Sequence, residues 1–305
     1  MQLHTTSAKL PRAALVKALG ATLLFGSVPA AIRVVQVDSY ALGVWRLSLA
    51  AVGMTALVLL RRPRAWRTMI GEIRRDWPAL AAVGVCFGLH WLLYFQSIKL
   101  ANASIGALGF STCGVQLPLL GWTFGFGRPS AAAMLGVALA MFGSYLCAPA
   151  GGAADNLAIG MAIGVLSGTL YAALPMLHQR HRRLDHEIRT WAQFAFALPV
   201  FLVTAPAADW SPLSPRDVWL ILHLGLLVNL VGHYLWVQVS TELPLAMTSA
   251  LGYLQLPASL GLNHLLIGEH ITPGMAAGGA CIVAGNLLAL GVGRRPSIEA
   301  EPPTG

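Results

Sequence analysis

One basic residue, Arg46, lies well inside a long apolar stretch of the sequence. A guanidinium forms paired hydrogen bonds with carboxylates and phosphates, so Arg46 is a candidate for binding an anionic group of a substrate. A charge is costly in hydrocarbon and is expected to face the protein interior or a water-filled cavity. The alternative role is structural: Arg46 donates to backbone carbonyls, or its head group reaches the water interface along its aliphatic stem. The sequence leaves both interpretations open.

Aromatic and histidine side chains form two further clusters in apolar stretches. His90 and Tyr94 are four residues apart and share a helix face, with Trp91 beside them. A second stripe, at helical spacing, comprises Asn229, His233, Trp236 and Ser240. Because lipid does not solvate polar side chains, the stripe is expected to face the interior. We predict that both clusters line a substrate cavity. Hydrogen bonds that only hold helices together are the alternative, and proton transfer by either histidine is another.

The tripeptide Gln-Leu-Pro occurs twice in apolar surroundings, at 116–118 and 255–257. Proline removes a backbone hydrogen bond and kinks a helix, and a cavity can supply water or substrate to the freed carbonyl. We therefore predict that Gln116 and Gln255 bind substrate and that Pro118 and Pro257 act as hinges. Tyr253, one turn before Pro257, is predicted to line the same cavity. Kinks that only shape the helices are the alternative.

The remaining reactive side chains argue against catalysis. The sequence has 12 Asp and Glu residues, and none lies deep in an apolar stretch, where proton-coupled carriers usually keep a carboxylate. Paired aspartates for a magnesium-dependent transferase are also missing there. Cys86, Cys113, Cys147 and Cys281 have no paired spacing, so we expect neither a metal site nor a cofactor. Residues 164–168 contain a serine without the nucleophile-elbow spacing. We predict that the protein is not an enzyme.

The composition identifies the elements that must position these residues. The 305 residues are 56% hydrophobic and only 10% charged, whereas soluble domains are about a quarter charged. This composition excludes a soluble domain and a disordered chain. The net charge of +8 does not indicate nucleic-acid binding, because the charges are concentrated in short polar segments. We predict an all-α polytopic membrane protein, with the lipid bilayer as its surroundings.

Ten stretches are long enough to cross the bilayer, which takes about 20 apolar residues. They lie near 15–35, 40–60, 79–98, 102–124, 131–149, 157–177, 190–208, 217–240, 245–267 and 273–293. With both termini in the cytoplasm, 16 of the 20 Lys and Arg residues fall on the cytoplasmic side. This distribution predicts a multi-pass protein of the inner or plasma membrane. A signal peptide is a weaker interpretation of the first stretch, which is too long for one.

The two halves of the sequence resemble each other. The Gln-Leu-Pro tripeptides correspond, and Gly136 and Gly143 recur at a constant separation as Gly278 and Gly285. Five spans in each half place the halves in opposite orientations, an arrangement typical of transporters. We predict a cytoplasmic tail at 1–12, five-helix repeats at 13–150 and 151–293, and a disordered cytoplasmic tail at 294–305.

Several segments, in this order, resemble the EamA-type transporters of the drug/metabolite transporter superfamily. Phe25-Gly26-Ser27 resembles a motif of the first span, and Trp45-Arg46-Leu47 carries an arginine like that of the second. Residues 89–99 resemble the end of the third span, and Gly268-Glu269-His270-Ile271-Thr272-Pro273 resembles the turn that closes each repeat. The first repeat departs from the pattern, because Gly127 stands where the second has Glu269. A paired role for two glutamates is thus in doubt, and Glu269 is expected to cap its own helix.

The resemblance implies a secondary transporter that works by alternating access around a central cavity. Members move amino acids, metabolites, nucleotide sugars or drugs, commonly outward. We predict export of a small amphipathic metabolite such as an amino acid, and we expect Arg46→Ala to abolish transport without loss of expression. The alternatives are a lipid-linked sugar flippase of the same superfamily, which is usually shorter, and an intramembrane enzyme. Self-association, substrate identity and ion coupling are left open.

Overall fold

The computed structural model describes residues 12–61, 66–123, 130–146, 154–242, 251–252 and 254–289. Within these ranges all regular structure is helical, as the composition predicts. The predictions for the terminal tails, and those that concern Gly127, Cys147 and Tyr253, lie outside the described residues, as does the side chain of Pro118.

The described residues form 14 α-helices in chain order. These are α1 Arg12–Gly26, α2 Val28–Val34, α3 Ser39–Arg61, α4 Trp66–Leu100, α5 Ala103–Ser111, α6 Cys113–Thr123, α7 Ala131–Leu146, α8 Ala154–Arg180, α9 His186–Ala195, α10 Leu198–Thr204, α11 Pro215–Leu222, α12 Tyr234–Glu242, α13 Gln255–Ile267 and α14 Pro273–Ala289. A 3₁₀ turn, Ala205–Ala207, follows α10, and a π-helical segment, His223–His233, joins α11 to α12.

Six helical segments are long and apolar enough to cross a membrane, so the chain is a multi-pass membrane protein. They are Arg12–Val34, Ser39–Arg61, Arg67–Leu100, Asn156–Arg180, His186–Ala207 and Pro215–Glu242. Shorter apolar helices cover Ala103–Leu117, Met134–Gly143 and Pro273–Leu288. The other four of the ten predicted spans therefore correspond to shorter helices, or to stretches that the described residues cover only in part.

The helix interruptions lie in places that the proline positions did not predict. The fourth predicted span breaks at Thr112, between α5 and α6, and α6 continues through Pro118. In the ninth, α13 begins at Gln255, so Pro257 lies in the first turn, where a missing N–H leaves no helical hydrogen bond unmade. In both spans the interruption comes before the proline, not at it.

The third predicted span is part of a longer helix than expected. α4 begins at Trp66, so the basic segment with Arg74 and Arg75 is also helical. Asp76 has non-helical torsions, with φ −109° and ψ 15°, two residues before Pro78. Pro78 has no N–H to donate to the Arg74 carbonyl one turn earlier, and its ring crowds that carbonyl, which accounts for a bend at this place.

Glycines allow the helices to approach closely. A Cβ atom at Gly160 of α8 would lie 2.5 Å from the Cβ of Ala101, and one at Gly168 would lie 2.8 Å from the carbonyl oxygen of Phe110. The α7–α14 pair is equally tight. A Cβ at Gly143 would lie 2.5 Å from the Gly278 oxygen, and one at Gly285 would lie 2.5 Å from the Gly136 oxygen. Such contacts are typical of helix packing in membranes, where close backbone approach replaces the hydrophobic effect.

Candidate functional site

Three adjoining cavities lie in the interior of the described bundle, and Tyr171 lines all of them. The largest, the apolar cavity, has a volume of about 660 Å³ and includes in its lining Phe110, Cys113, Leu117, Trp236, Gln255 and Leu256. The aromatic cavity, of about 230 Å³, is lined by residues that include Phe25, His90, Trp91, Tyr94, His233 and Gln255. The histidine cavity, of about 240 Å³, is lined by residues that include His178, Gln193, His233, Trp236 and Ser240.

The apolar cavity lies between two interrupted helices. At the first interruption the Val115 N–H donates to the Thr112 oxygen at 3.1 Å, and at the second the Leu254 N–H donates to the Leu251 oxygen at 3.2 Å. Each of these turns ends directly before a Gln-Leu-Pro tripeptide, so the two interruptions occupy corresponding positions in the two halves. Broken helices expose backbone groups inside a membrane, where substrates of transporters commonly bind.

His90 is held in one tautomer at the wall of the aromatic cavity. Its Nδ1 lies 2.8 Å from Ser167 Oγ and 3.2 Å from the Ser167 carbonyl oxygen. Because Ser167 Oγ donates its own proton to the His90 oxygen at 3.0 Å, His90 Nδ1 must be the donor in this contact. The Nε2 atom of the neutral ring then keeps a lone pair that can accept a hydrogen bond.

His233 is packed among rings contributed by different helices. Its ring centroid lies 4.6 Å from that of Phe25 and 4.8 Å from that of Phe87. The residues of the predicted stripe, Asn229, His233, Trp236 and Ser240, are all buried, as expected for an interior face. The π-helical winding carries Asn229 and His233, and such segments occur often at functional sites.

Arg46 is buried, with 1% of its surface exposed, and so does not reach a water interface. Its Nη2 donates to Asn229 Oδ1, and its guanidinium carbon lies 3.8 Å from the ring centroid of Trp91 and 5.2 Å from that of Phe95. The Nε and Nη1 atoms have no hydrogen-bond partner within the described part of the chain. The alternative that Arg46 reaches the interface is wrong, and the acceptor of its one described hydrogen bond is a side-chain amide oxygen, not a backbone carbonyl.

The structure brings together most, but not all, of the predicted substrate-binding residues. Six of them line the cavities: His90, Trp91, Tyr94, His233, Trp236 and Gln255. Of the others in the described ranges, Arg46 and Gln116 line none of the three. The Gln116 amide donates instead to Thr112 Oγ1 at 2.8 Å and to the Val165 oxygen at 3.1 Å. Within the described chain, no group of three His, Cys, Asp or Glu side chains is placed to hold a metal ion.

Sequence reasoning missed Tyr171 and His178, two cavity residues on α8. The Nε2 atom of His178 lies 2.8 Å from Gln193 Oε1, and Tyr171 packs its ring 4.9 Å from those of His90 and Phe110. The sequence does hold a signal for these two residues. Gly160, Gly164 and Gly168 share one face of α8, and Tyr171 and His178 follow Gly168 by three and ten residues, so they continue the same interior face.

At one end of the bundle, the Glu269 end, the Glu269 carboxylate binds the start of α5. Glu269 accepts the Ala103 N–H at 2.8 Å, and the Ser104 N–H and Oγ at 2.9 and 2.6 Å. Glu269 therefore caps α5 of the first half, and the expectation that it caps its own helix is wrong. Thr272 caps α14 instead, since its Oγ1 accepts the Met275 N–H at 3.1 Å.

The other end, the Asp76 end, holds a wide polar vestibule. It has a volume of about 830 Å³ and includes in its lining Glu72, Arg182, Arg183, Arg189, Gln238 and Glu242. Asp76 pairs here with Arg75 and Arg183, and Lys17 pairs with Glu242 at 3.0 Å. Arg189 separates the vestibule from the histidine cavity, because its Nη1 donates to the His178 oxygen at 3.0 Å and to Thr241 Oγ1 at 3.1 Å.

Membrane-crossing helices around an interior row of cavities define a multi-pass membrane protein of the transporter class. The EamA-like transporter family matches residues 12–148 and 158–291. The chain belongs to this family, which is a transporter family within the drug/metabolite transporter superfamily and not a family of enzymes.

Individual relatives are also transporters. The chain is 28% identical over 269 residues to a "probable terminal-alkyne amino-acid exporter" of Streptantibioticus cattleyicolor. The match covers 85% of this chain and 86% of that protein. The chain is 28% identical over 166 residues to an uncharacterized transporter of Synechocystis sp., and the match spans 52% of this chain and about half, 50%, of that relative. A solved crystal structure has the same fold, with a TM-score of 0.65 at 18% identity, over 91% of this chain and 96% of that one.

Proposed function

We propose that the protein is a secondary transporter that exports a small amphipathic metabolite, such as an amino acid, by alternating access around the three cavities. The observation that carries the proposal is the row of cavities, whose walls combine residues of both matched regions, such as Tyr94 and Phe110 of the first and Tyr171 and Gln255 of the second. The exporter of Streptantibioticus cattleyicolor, similar over most of both chains, supports an amino-acid substrate and outward transport.

The linings favour an amphipathic substrate. The apolar cavity combines Leu117, Ala172 and Leu256 with few polar groups, among them Ser111 and Gln255. The aromatic cavity adds hydrogen-bonding groups from His90, Tyr94 and His233. A substrate with an apolar side chain and a polar head group would place each part against matching chemistry.

The packing of α7 against α14 supports two inverted five-helix repeats. Gly143 meets Gly278, and Gly285 meets Gly136, so exchanging the two halves exchanges the two contacts. The helix interruptions before the two Gln-Leu-Pro tripeptides also exchange places when the two halves are exchanged. Together with the charge distribution of the sequence, this arrangement supports an orientation in which both termini and the Asp76 end face the cytoplasm and the Glu269 end faces outside. Substrate then reaches the cavities through the vestibule.

Flux into or out of proteoliposomes tests this proposal. Purified protein, reconstituted with a panel of radiolabelled amino acids, is expected to carry at least one of them well above protein-free vesicles. Tyr171→Ala removes the side chain that all three cavities share, and flux is expected to fall about tenfold or more. Tyr145→Ala, the same change at a residue that is 74% exposed on α7, is the matched control and is expected to transport normally.

Two results would contradict the proposal. Flux equal to that of protein-free vesicles for every amino acid would remove the substrate class. An equal loss in Tyr171→Ala and Tyr145→Ala would separate transport from the cavities.

A further inference from the structure

Buried polar atoms without a partner are concentrated around Trp91. Among the residues that the structure describes, nine buried side-chain nitrogen or oxygen atoms have no hydrogen-bond partner, and five of them belong to Arg46, Trp91, Tyr94 and His233. These five atoms are Arg46 Nε and Nη1, Trp91 Nε1, Tyr94 OH and His233 Nε2. Buried polar groups are normally satisfied, so such a concentration requires an explanation.

Arg46, Tyr94 and His233 all neighbour Trp91. The guanidinium of Arg46 lies 3.8 Å from the Trp91 ring centroid, and the rings of Tyr94 and His233 lie 5.7 and 5.9 Å from that of Trp91. Most of the unpartnered atoms are hydrogen-bond donors: the Arg46 nitrogens, the indole N–H and the phenol. A ligand that satisfies them must therefore bring acceptors.

A second buried arginine, Arg189, has hydrogen-bond partners for the nitrogen atoms that lack them in Arg46. Arg189 is also 1% exposed, but its Nε donates to the Leu184 oxygen at 3.1 Å and its Nη1 donates to the His178 oxygen at 3.0 Å. Arg46 has only the Asn229 amide oxygen and the faces of two rings. No acidic side chain in the described ranges forms an ion pair with Arg46. A buried charge in this situation lacks a counter-ion, and an anionic ligand would supply one.

Trp91 stands between Arg46 and the cavities. The guanidinium stacks on the Trp91 ring, and Trp91 lines the aromatic cavity, whereas Arg46 does not. The Trp91 ring packs against the guanidinium and against the rings of Phe87 and Phe95, and its Nε1 has no hydrogen-bond partner among the described side chains or backbone. Displacing the indole would bring the open guanidinium nitrogens to the wall of the aromatic cavity.

We propose that Arg46 forms a carboxylate site that the Trp91 ring covers until substrate arrives. The inference rests on the proposed transport function and adds the group that the substrate must carry. A carboxylate in the aromatic cavity takes the place of the indole face and accepts from Arg46 Nε or Nη1, while Asn229 holds Nη2 in position. Tyr94 OH is placed to donate to the same group. A carboxylate matches the single positive charge of Arg46, whereas a phosphate dianion would leave one negative charge buried without compensation.

The first test compares each amino acid with its own amide. Proteoliposome flux and ligand-induced thermal stabilisation in detergent are measured with L-leucine, L-methionine, L-phenylalanine and L-threonine, and with their primary amides, which lack the negative charge. The proposal predicts that a bound amino acid is favoured over its amide by about tenfold or more, and that Arg46→Gln removes the difference. Arg216→Gln, at an exposed position, loses the same charge and is expected to keep the preference.

The two readouts separate failure of this inference from failure of the transport proposal. Flux of an amino acid and its amide at equal rates would overturn the carboxylate site and leave the transporter intact. Stabilisation by the amino acids alone, without flux of any, would support the site and contradict transport. Neither stabilisation nor flux with any of the eight compounds would overturn both.

The second test does not depend on whether Arg46→Gln folds. Phenylglyoxal modifies arginine side chains, and peptide mass spectrometry gives the modified fractions of Arg46 and of Arg189, the internal standard. Trp91→Ala is expected to raise the modification rate of Arg46 about tenfold relative to that of Arg189. Trp91→Phe keeps a covering ring and is expected to raise the rate much less. Stabilising amino acids should protect Arg46. An unchanged Arg46 rate in Trp91→Ala would show that the indole is not the cover and would overturn the proposal.

Discussion

The Glu269 end and the Asp76 end of the bundle are joined by different kinds of contact. At the Glu269 end a carboxylate accepts three hydrogen bonds from the first turn of α5, and Asp217 accepts the Gln36 N–H at 2.9 Å. Each carboxylate comes from the second matched region and binds the backbone of the first. Charge-assisted bonds to backbone N–H groups at a helix start are strong and geometrically specific.

At the Asp76 end, the described contacts between the two regions join side chain to side chain. They include two ion pairs and hydrogen bonds from Arg61 Nη1 to Tyr234 OH at 3.3 Å and from Trp191 Nε1 to Thr55 Oγ1 at 2.9 Å. The Arg183 side chain is 56% exposed and its partner Asp76 is 9% exposed, whereas Lys17 and Glu242 are 29% and 44% exposed. A pair between solvent-exposed side chains, such as Lys17 and Glu242, contributes about 0–1 kcal/mol. The polar vestibule beside them separates the helices further. In the proposed transport cycle, the Glu269 end is therefore the gate that is held closed more firmly, and the Asp76 end is the gate that opens at lower cost.

The sequence holds a simple reason for this difference. Glu269 lies in the turn before the last helix of the second half, and the corresponding turn of the first half carries Gly127. A glycine cannot supply the carboxylate that caps a helix of the other half. One half of the sequence therefore carries this carboxylate and the other does not, so the two ends need not open with equal ease.

Removing the Glu269 carboxylate is expected to change access to the cavities more than any other substitution described below. Glu269→Gln replaces one acceptor by an amide NH₂ that faces donors, at a cost of about 3 kcal/mol. This changes the ratio of open to closed states at the Glu269 end by about 100-fold. Labelling of Cys113, which lines the apolar cavity, by an impermeant thiol reagent from that side measures the change. Labelling that stays at the wild-type rate would contradict the gate.

Ser104→Ala tests the same gate with a smaller change. The variant loses the hydroxyl that donates to Glu269 at 2.6 Å and accepts from Asn263 at 3.2 Å, but it keeps both backbone bonds. The closed state of the Glu269 end is expected to lose about 1 kcal/mol of stability, and Cys113 should be labelled about fivefold faster from that end. An effect as large as that of Glu269→Gln would mean that the hydroxyl, and not the backbone cap, holds the gate.

Asp76→Asn is expected to have a smaller effect, at the opposite end. It breaks the pairs of the 9% exposed Asp76 carboxylate with Arg75 and Arg183, which are 63% and 56% exposed, so about 1 kcal/mol is lost. Labelling of Cys113 from the Asp76 end should rise by no more than about fivefold. A rise comparable to that at the Glu269 end would remove the proposed asymmetry between the gates.

Lys17→Met is expected to change least. Its pair with Glu242 joins two partly exposed side chains, and a few tenths of a kcal/mol are expected to be lost. Transport rate and Cys113 labelling should stay within about twofold of the wild type. Abolished transport in a well-folded Lys17→Met protein would give this pair a role that its exposure does not predict.

Local sequence patterns predicted the parts of the structure that depend on local chemistry. The apolar composition predicted the helical membrane class, and the helical spacing of the stripe from Asn229 to Ser240 predicted its buried face. The contact between Glu269 and α5 joins residues more than 160 positions apart, and no periodicity encodes it. The stack of Arg46 on Trp91 also depends on packing between distant helices. The helix breaks at Thr112 and before Gln255 were not predicted, because neither coincides with a proline.

The accessibility of Cys113 in otherwise wild-type protein tests the central claim most directly. Cys86, Cys147 and Cys281 are replaced by alanine, and an impermeant thiol reagent is applied to right-side-out and inside-out vesicles. Reference cysteines at the exposed positions Arg182 and Ser211 identify the Asp76 and Glu269 ends. The account predicts labelling of Cys113 from the Asp76 end, slowed by transported substrate, and at least tenfold slower labelling from the Glu269 end. Equal labelling from both ends, or faster labelling from the Glu269 end, would contradict it.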